Sequence, residues 1–498
     1  MNRLLALLLT MTALSVSAKV EVERLRVENL QQPLGIDTPV PRFSWLITSD
    51  KKDVRQTAYQ IIVTDDHGNS LWDSPKTASD QQLWVRYQGT ALKSATQCQW
   101  KVKVWTTAGE SPWSSTERFG IGLLKENHWT GRWIGLERLM PGEERGLHTR
   151  LAARYLRKEF ELEKPVRRAI AYVAGIGLHE LHVDGTVLNQ YVLQPMPTDY
   201  RKTVLYNTYD ITEALRANAS ATGAKHCIGI VLGNGRLFPM RQNKPYKAPV
   251  FGLPKCRINV IIEFEDGTTK RISTDERWKV TANGPIRANN EYDGEEYDAR
   301  QELTGWDIAG YDDKDWMKAE RTEIPLGTLR AQMAPGMAMK PFAIPATTPA
   351  TSPSGNSPSG IYDFHQNMAG WIAFTPTGNP GDTIRVKYAE KLNADGTLYL
   401  DNFRDARSED VYVCGTVPGG TAEWHPVFSY HGFRYAQITG PVKEVHAYTV
   451  SDDMMQTGHF ECSDQTLNLI MRNAWWGIYG NYKGMPVDCP QKMRISDV

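Results

Sequence analysis

Short runs in which apolar and polar residues alternate one by one recur along this chain, and they predict a mainly β protein. Trp100, Val102 and Val104 alternate with Lys101 and Lys103, the period-two pattern of a strand with one face in a core. Ala108-Gly109-Glu110-Ser111-Pro112 then turns the chain. Ile258, Val260, Ile262 and Phe264 alternate with Arg257, Asn259 and Glu263 before Asp266-Gly267, a hairpin signal because glycine accepts the positive φ such turns require. Leu181 and Val183 before Asp184-Gly185 repeat the device, as do Ile228, Ile230 and Leu232 before Gly233-Asn234-Gly235. Ile384, Val386 and Tyr388 alternate with Arg385 and Lys387, Asp395-Gly396 turns, and Val411-Tyr412-Val413 makes the next strand. Helical spacing is confined to the end, at Leu467, Ile470, Met471, Ala474, Trp475 and Ile478. Ser463 is its predicted N-cap, and Gly484 and Pro486 stop it.

These runs group into modules. A length of 498 residues is too great for one domain and, at ~150 residues each, fits about three. The expected order is a leader over 1–18, β-sandwiches over 19–122, 129–322 and 341–450, and a helical start over 455–498. The leader rests on Arg3, the apolar run Leu4 to Leu9 and the small residues Ser17-Ala18, which read as a secretory signal and imply a periplasmic or extracellular protein. Residues 341 to 361 are rich in Pro, Ser, Thr and Gly and read as a linker or long surface loop.

Composition narrows the partners. Lys plus Arg and Asp plus Glu are 57 each, and losing Arg3 with the leader leaves one net negative charge, so nucleic acid is not an expected partner. No later segment reaches the roughly 18 unbroken apolar residues of a membrane helix. The six cysteines are scattered without a CxxC pair, so neither a zinc site nor a disulfide framework is implied. Fifteen Trp and 21 Tyr provide rings that stack on sugar faces, although core packing is the commoner use of any one of them.

Particular segments carry a resemblance. Trp100 to Val104, the turn after it and Trp113-Ser114 resemble a fibronectin type III module. Pro33-Leu34-Gly35-Ile36-Asp37-Thr38-Pro39, Pro41-Arg42-Phe43-Ser44-Trp45 and Gln56-Thr57-Ala58-Tyr59 are similar to the amino-terminal module of bacterial α-L-rhamnosidases, glycoside hydrolase family 78. Thr198-Asp199-Tyr200-Arg201-Lys202, Leu205-Tyr206 and Tyr292 to Arg300 resemble that family's inserted sandwich, and Tyr362-Asp363-Phe364, Gly370-Trp371 and Tyr430 to Tyr435 its central one. Asn481 to Gln491, with Asp488-Cys489-Pro490-Gln491, resembles the start of its active-site motif. The resemblance covers essentially the whole chain after the leader.

It implies tandem sandwiches, fibronectin type III-like and then jelly-roll-like, followed by the first helix of an (α/α)6 barrel. It also implies inverting hydrolysis of terminal L-rhamnose from plant glycans or glycosides, and Asp488 as a contact to the sugar in the −1 site. Inversion uses a carboxylic acid and a carboxylate about 6.5 to 9.5 Å apart. In the family the acid Glu comes shortly after Asp-Cys-Pro-Gln and the base lies much further on. Lys492 to Val498 contain no Glu, so the 498 residues alone are expected to be inactive, with another reading frame restoring Arg and Glu after Gln491. Asp497 stands in no motif and is a poor substitute acid. The alternative is a rhamnose-binding sandwich protein without catalysis.

Other residues admit blander readings. Asp293, Glu295, Glu296 and Asp298 offer oxygens to calcium, which binds the inserted sandwich of some relatives, and they equally fit a solvated turn or a partner for Arg300. No cofactor is otherwise implied. His179 and His182 on one strand point to opposite faces and do not chelate one metal. His431 reads as structural, Gly233-Asn234-Gly235 as a turn, and Arg236-Leu237 stand where relatives carry an aromatic pair.

Overall fold

A computed structural model describes residues 19–145, 148–188, 190–217, 223–241, 250–343, 360–416 and 423–489. The leader over 1–18, most of the expected linker and the motif continuation from Pro490 onward, Asp497 included, lie outside the described residues. The protein is mainly β, as the alternation predicts, and divides into two compact units, residues 1–124 and 125–498.

The first unit is an immunoglobulin-like sandwich. Strands Val20–Val27, Arg42–Ser49 and Val85–Arg86 form one sheet, and the pair Gln56–Asp65 and Gln97–Thr106 centres the other. Between them Phe43 packs its ring 4.5 Å from that of Trp100, with Tyr87 and Phe119 against it. Trp100, Val102 and Val104 are all buried, so the period-two reading holds, and here the tryptophans serve packing.

In the second unit, two sheets sandwich a core of Leu, Ile and Val side chains. One is centred on the antiparallel pair Val166–Ile176 and Lys255–Phe264, the other on Arg154–Leu162 and Ala224–Gly233. Ile258, Val260, Ile262 and Phe264 face this core. Their polar alternates are not solvated as a half-buried strand would have them. Arg257, Asn259 and Glu263 are buried as well, because residues 129–132 and neighbouring strands cover the second face. Arg257 donates to the carbonyls of Gly131 and Trp129, Asn259 Oδ1 accepts from the Gly131 amide at 2.8 Å, and Glu263 pairs with Arg167 and Arg168. Buried polar groups on a strand are tolerated when each finds a partner.

A third, eight-stranded sheet runs in the order Ile286–Asn290, Gly294–Asp298, Glu409–Val413, Thr383–Ala389, His431–Thr439, Gly360–Pro376, Val442–Asp452, Met337–Pro341. The hairpin of residues 286–298, grouped by sequence with the second sandwich, thus belongs to this sheet. It joins by parallel pairing of Glu296, Tyr297 and Asp298 with Val411, Tyr412 and Val413. One face holds Phe364, Ile372, Phe374, Ile384, Val386 and Phe433. The other holds Trp371, Tyr430 and Val450 against Leu178, Val231 and Trp306 of the second sandwich.

Among the described residues there are two α-helices where the periodicity predicts one. Thr212–Ala217 leaves no signal because six residues are too few to show a period. The terminal helix runs Gln465–Gly480 and is capped by Asp464 rather than Ser463, the Asp464 carboxylate accepting from the Thr466 and Leu467 amides. No described helix is long and apolar enough to cross a membrane. Trp476 packs on Phe342, and Ser451 Oγ donates to the Tyr479 carbonyl, so one side of the helix rests on the third sheet. Along the rest of the helix Leu467, Leu469, Ile470, Met471 and Ile478 are exposed.

Candidate functional site

Asp488 is carried by a tight loop directly after the terminal helix. Asn481 ends the helix, its amide bonding to the Ile478 carbonyl at 3.0 Å. The next residues close on themselves through Lys483 N–H to the Met485 carbonyl (3.1 Å) and Val487 N–H to the Asn481 carbonyl (2.8 Å). Gly484 lies at φ +76°, and a Cβ there would come 2.8 Å from Met196 Cγ, so the position needs glycine for both shape and space. Its amide donates to both carboxylate oxygens of Asp452 at 2.8 Å. Val487 is buried in the apolar cluster with Trp371 and Tyr430. Asp488, next along, is exposed.

Beneath this loop is a buried charge cluster. The Lys483 ammonium, 4% exposed, lies 3.2 Å from Glu291 Oε1 and 4.3 Å from the centroid of the Tyr430 ring. Arg236 Nε is 2.8 Å from the other Glu291 oxygen, and Arg236 donates to the Tyr292 hydroxyl at 3.2 Å. Burial raises Glu291, but Arg236 and Lys483 more than offset it and hold the carboxyl below its ordinary range. Burial also pulls the Lys483 ammonium below its ordinary value, against the pull of Glu291. Tyr200 and Tyr430 feel the Glu291 and Arg236 charges too, with burial the main cause of their raised phenols. Four segments that carry the family resemblance, around residues 200, 292, 430 and 483, therefore meet at Glu291.

The Lys483–Glu291 pair is not legible in the sequence because 192 residues separate its members. The one sequence signal is Arg236, where an aromatic residue is expected.

The acidic segment is not a solvated turn. Asp293 and Glu295 are buried, because Arg150, Asp410 and the loop at Val427 and Phe428 pack against the hairpin they sit on. Asp293 faces Arg150 at 3.8 Å, and Glu296 pairs with Arg150 at 2.9 Å and Arg407 at 3.3 Å. Glu295 accepts from the Val427 and Phe428 amides. Asp298 pairs with Arg300 as expected. Asp293 and Glu296 share Arg150, while Glu295 and Asp298 turn to other partners, so the four carboxylates do not converge on one centre. His431 is structural, as its sequence setting implies: its Nε2 lies 3.0 Å from Asp410 and its ring stacks on Tyr388. Gly233-Asn234-Gly235 turns the chain, Asn234 Nδ2 donating to the Leu151 and Asn289 carbonyls. A cavity of about 550 Å³ opens elsewhere, lined by Phe342, Tyr362, Phe364, Lys443, Glu444 and His446 among others. Among its lining residues Glu444 is the single carboxylate, so it holds no carboxylate pair.

His179 and His182 diverge as a strand requires. His179 meets the Tyr209 hydroxyl at 3.0 Å, while His182 bonds Asp307 at 2.8 Å and Glu180 at 3.0 Å. For His182 burial acts downward but is outweighed by Asp307 and Glu180, and the imidazole is raised from 6.5 to about 9. Glu295 is raised by burial from 4.5 to about 8. Both folded values exceed the unfolded ones, so both contributions are complete at low pH and are lost as pH rises through about 8 and 9. The melting temperature is therefore expected to fall between pH 6.5 and 9, with His182 contributing roughly 3 kcal/mol of the change. A pH series on wild type and His182→Gln checks it; equal slopes would refute the assignment.

The four segments of the chain match four family descriptions. Residues 22–125 match the Rha78A-like N-terminal immunoglobulin domain, and 164–341 the alpha-L-rhamnosidase N-terminal domain. Residues 355–456 match the bacterial alpha-L-rhamnosidase concanavalin-like domain, and 455–495 the bacterial alpha-L-rhamnosidase 6 hairpin glycosidase domain. An alpha-L-rhamnosidase of Formosa agariphila is 32% identical over 93% of this chain and 50% of its own length. The solved alpha-L-rhamnosidase of Dictyoglumus thermophilum is 34% identical with a TM-score of 0.81, covering 95% of this chain and 53% of that one. That of Aspergillus terreus is 28% identical with a TM-score of 0.84, covering 95% and 54%. Sandwich modules leading into a six-hairpin glycosidase domain are the build of a modular glycoside hydrolase. The chain belongs to the bacterial α-L-rhamnosidase family, glycoside hydrolase family 78. It spans about half the length of these relatives.

Proposed function

We propose that these residues are the sandwich-bearing part of an α-L-rhamnosidase that removes terminal L-rhamnose from rhamnose-containing oligosaccharides or glycosides with inversion. Asp488 contacts the sugar, and the protein works in the periplasm or outside the cell, where a leader over 1–18 would deliver it. The 498 residues alone do not turn over substrate, because inversion needs an acid and a base carboxyl about 6.5 to 9.5 Å apart and Asp488, a sugar contact, is neither. What supports the reading is the terminal helix. Its sequence matches the opening of a six-hairpin glycosidase domain, and its exposed apolar residues are what the remaining helices of such a domain would cover.

The rival reading, rhamnose binding without catalysis, draws on the Tyr292 to Arg300 segment. That segment is engaged internally, through Arg236 on Tyr292 and the carboxylate pairs described above, which disfavours it as a sugar-binding surface. Assay with an aryl α-L-rhamnoside tests the proposal. A protein carrying the whole six-hairpin domain is expected to release rhamnose, while the 498-residue chain falls short by at least the ~10²- to 10⁴-fold that acid–base assistance supplies. Turnover by the purified 498-residue chain would overturn the claim of inactivity. Failure of the longer protein, together with heat on titrating rhamnose, would favour the binding reading.

A further inference from the structure

We infer that Lys483 is a positioning residue: its buried ion pair with Glu291 fixes the loop that presents Asp488 onto the third sheet. The inference rests on the reading of Asp488 as a sugar contact, but its geometry stands apart from that reading. Lys483 and Glu291 are both almost fully buried, and lysine is rarely buried unless paired. An apolar side chain would fill the same space without desolvating two charges, so such a pair adds little to stability. What it adds is direction. The Lys483 ammonium has one carboxylate beside it at 3.2 Å and one aromatic face at 4.3 Å, and a shift of the loop would strand a charge in an apolar surrounding.

Glu291 in turn is not free to follow the loop. It belongs to the connection between strands Ile286–Asn290 and Gly294–Asp298, and its second oxygen is held by Arg236. The adjacent Gly484 amide is clamped by Asp452, at the end of strand Val442–Asp452. The loop is thus tied at one residue to each edge region of the same sheet, shortly before Asp488. Val487 closes it from the far side, by burial. The place of Asp488 is set by these residues before it.

The test uses the full 498-residue chain and reads the loop directly. Cys489 follows Asp488 and is partly exposed, whereas Cys256 is fully buried. Alkylation by iodoacetamide, followed peptide by peptide by mass spectrometry, reports opening at each. Lys483→Met is expected to raise the Cys489 rate about tenfold or more while Cys256 stays protected. Glu291→Gln keeps the shape and should do the same, and it decides the matter if Lys483→Met fails to fold. Arg154→Met, which breaks the buried Arg154–Glu143 pair of the second sandwich, controls for general loosening. A Cys489 rate in both loop variants within about twofold of wild type, or an equal rise in Arg154→Met, would overturn the inference. Protection of Cys489 by L-rhamnose in a protein carrying the whole six-hairpin domain tests the reading of Asp488 separately: no protection there would sink that reading, while the alkylation rates of the variants still decide the positioning role of Lys483.

Discussion

Replacing Asp410 by asparagine is expected to lower the unfolding free energy by about 3 kcal/mol or more, because several hydrogen bonds converge on this buried carboxylate and each bond to a charged group contributes about 1.5–3 kcal/mol. Asp410 is fully buried on strand Glu409–Val413. Its oxygens accept from the Glu295 amide at 2.8 Å, the Tyr388 hydroxyl at 2.7 Å and Ser429 Oγ at 3.2 Å, with His431 Nε2 at 3.0 Å. Burial would raise this carboxyl, but His431 and the donors more than offset it and hold it below 3.8. Asparagine keeps one acceptor oxygen and turns an amide toward groups that are already donors. Urea unfolding of wild type and variant measures the loss; a change under about 1 kcal/mol would refute the network's role. Because the folded value is depressed, the contribution is present above 3.8 and lost as pH falls. The variant should therefore lose less stability than wild type on acidification.

Gly370→Ala is expected to cost about 3 kcal/mol or more, or to prevent folding. Gly370 sits in strand Gly360–Pro376 opposite both His431 and Thr449. An added Cβ would lie 1.8 Å from the Tyr448 carbonyl oxygen and 2.9 Å from its carbon. The obstacle is backbone in a neighbouring strand, so no rotamer change relieves it. Ala369→Gly, next to it, provides a contrast at roughly 1 kcal/mol. Thermal unfolding compares the two; a Gly370→Ala protein melting within about 2 °C of wild type would contradict the packing argument.

Much of the fold is legible in the sequence because strands announce themselves locally. Trp100, Val102 and Val104 and the run from Ile258 to Phe264 are buried where alternation puts them. The failures have a common cause in long-range structure. The burial of Arg257, Asn259 and Glu263 is not legible because a strand does not reveal what covers its second side. The parallel pairing of residues 296–298 with 411–413 leaves no hairpin signature, since no short turn joins the partners. Ser463 loses the capping role to Asp464 by one residue, within the ordinary blur of helix ends. At the site, Asp488 is legible because its neighbours form a recognisable motif. Lys483, Glu291 and Arg236 are not, for a buried ion pair is a property of the assembled sheet and not of any one segment.

Chain order and sheet order differ in the second unit, and this bears on how the molecule can be cut. Residues 164–341 match one family domain and 355–456 the next, yet both edges of the eight-stranded sheet, residues 286–298 and Met337–Pro341, come from the first of these stretches. A gene fragment starting at the domain border would express Glu409–Val413 and Val442–Asp452 with their outer hydrogen-bonding rows bare. Such rows are templates for intermolecular pairing. Module swaps among these enzymes should therefore carry the second and third regions as one exchangeable cassette.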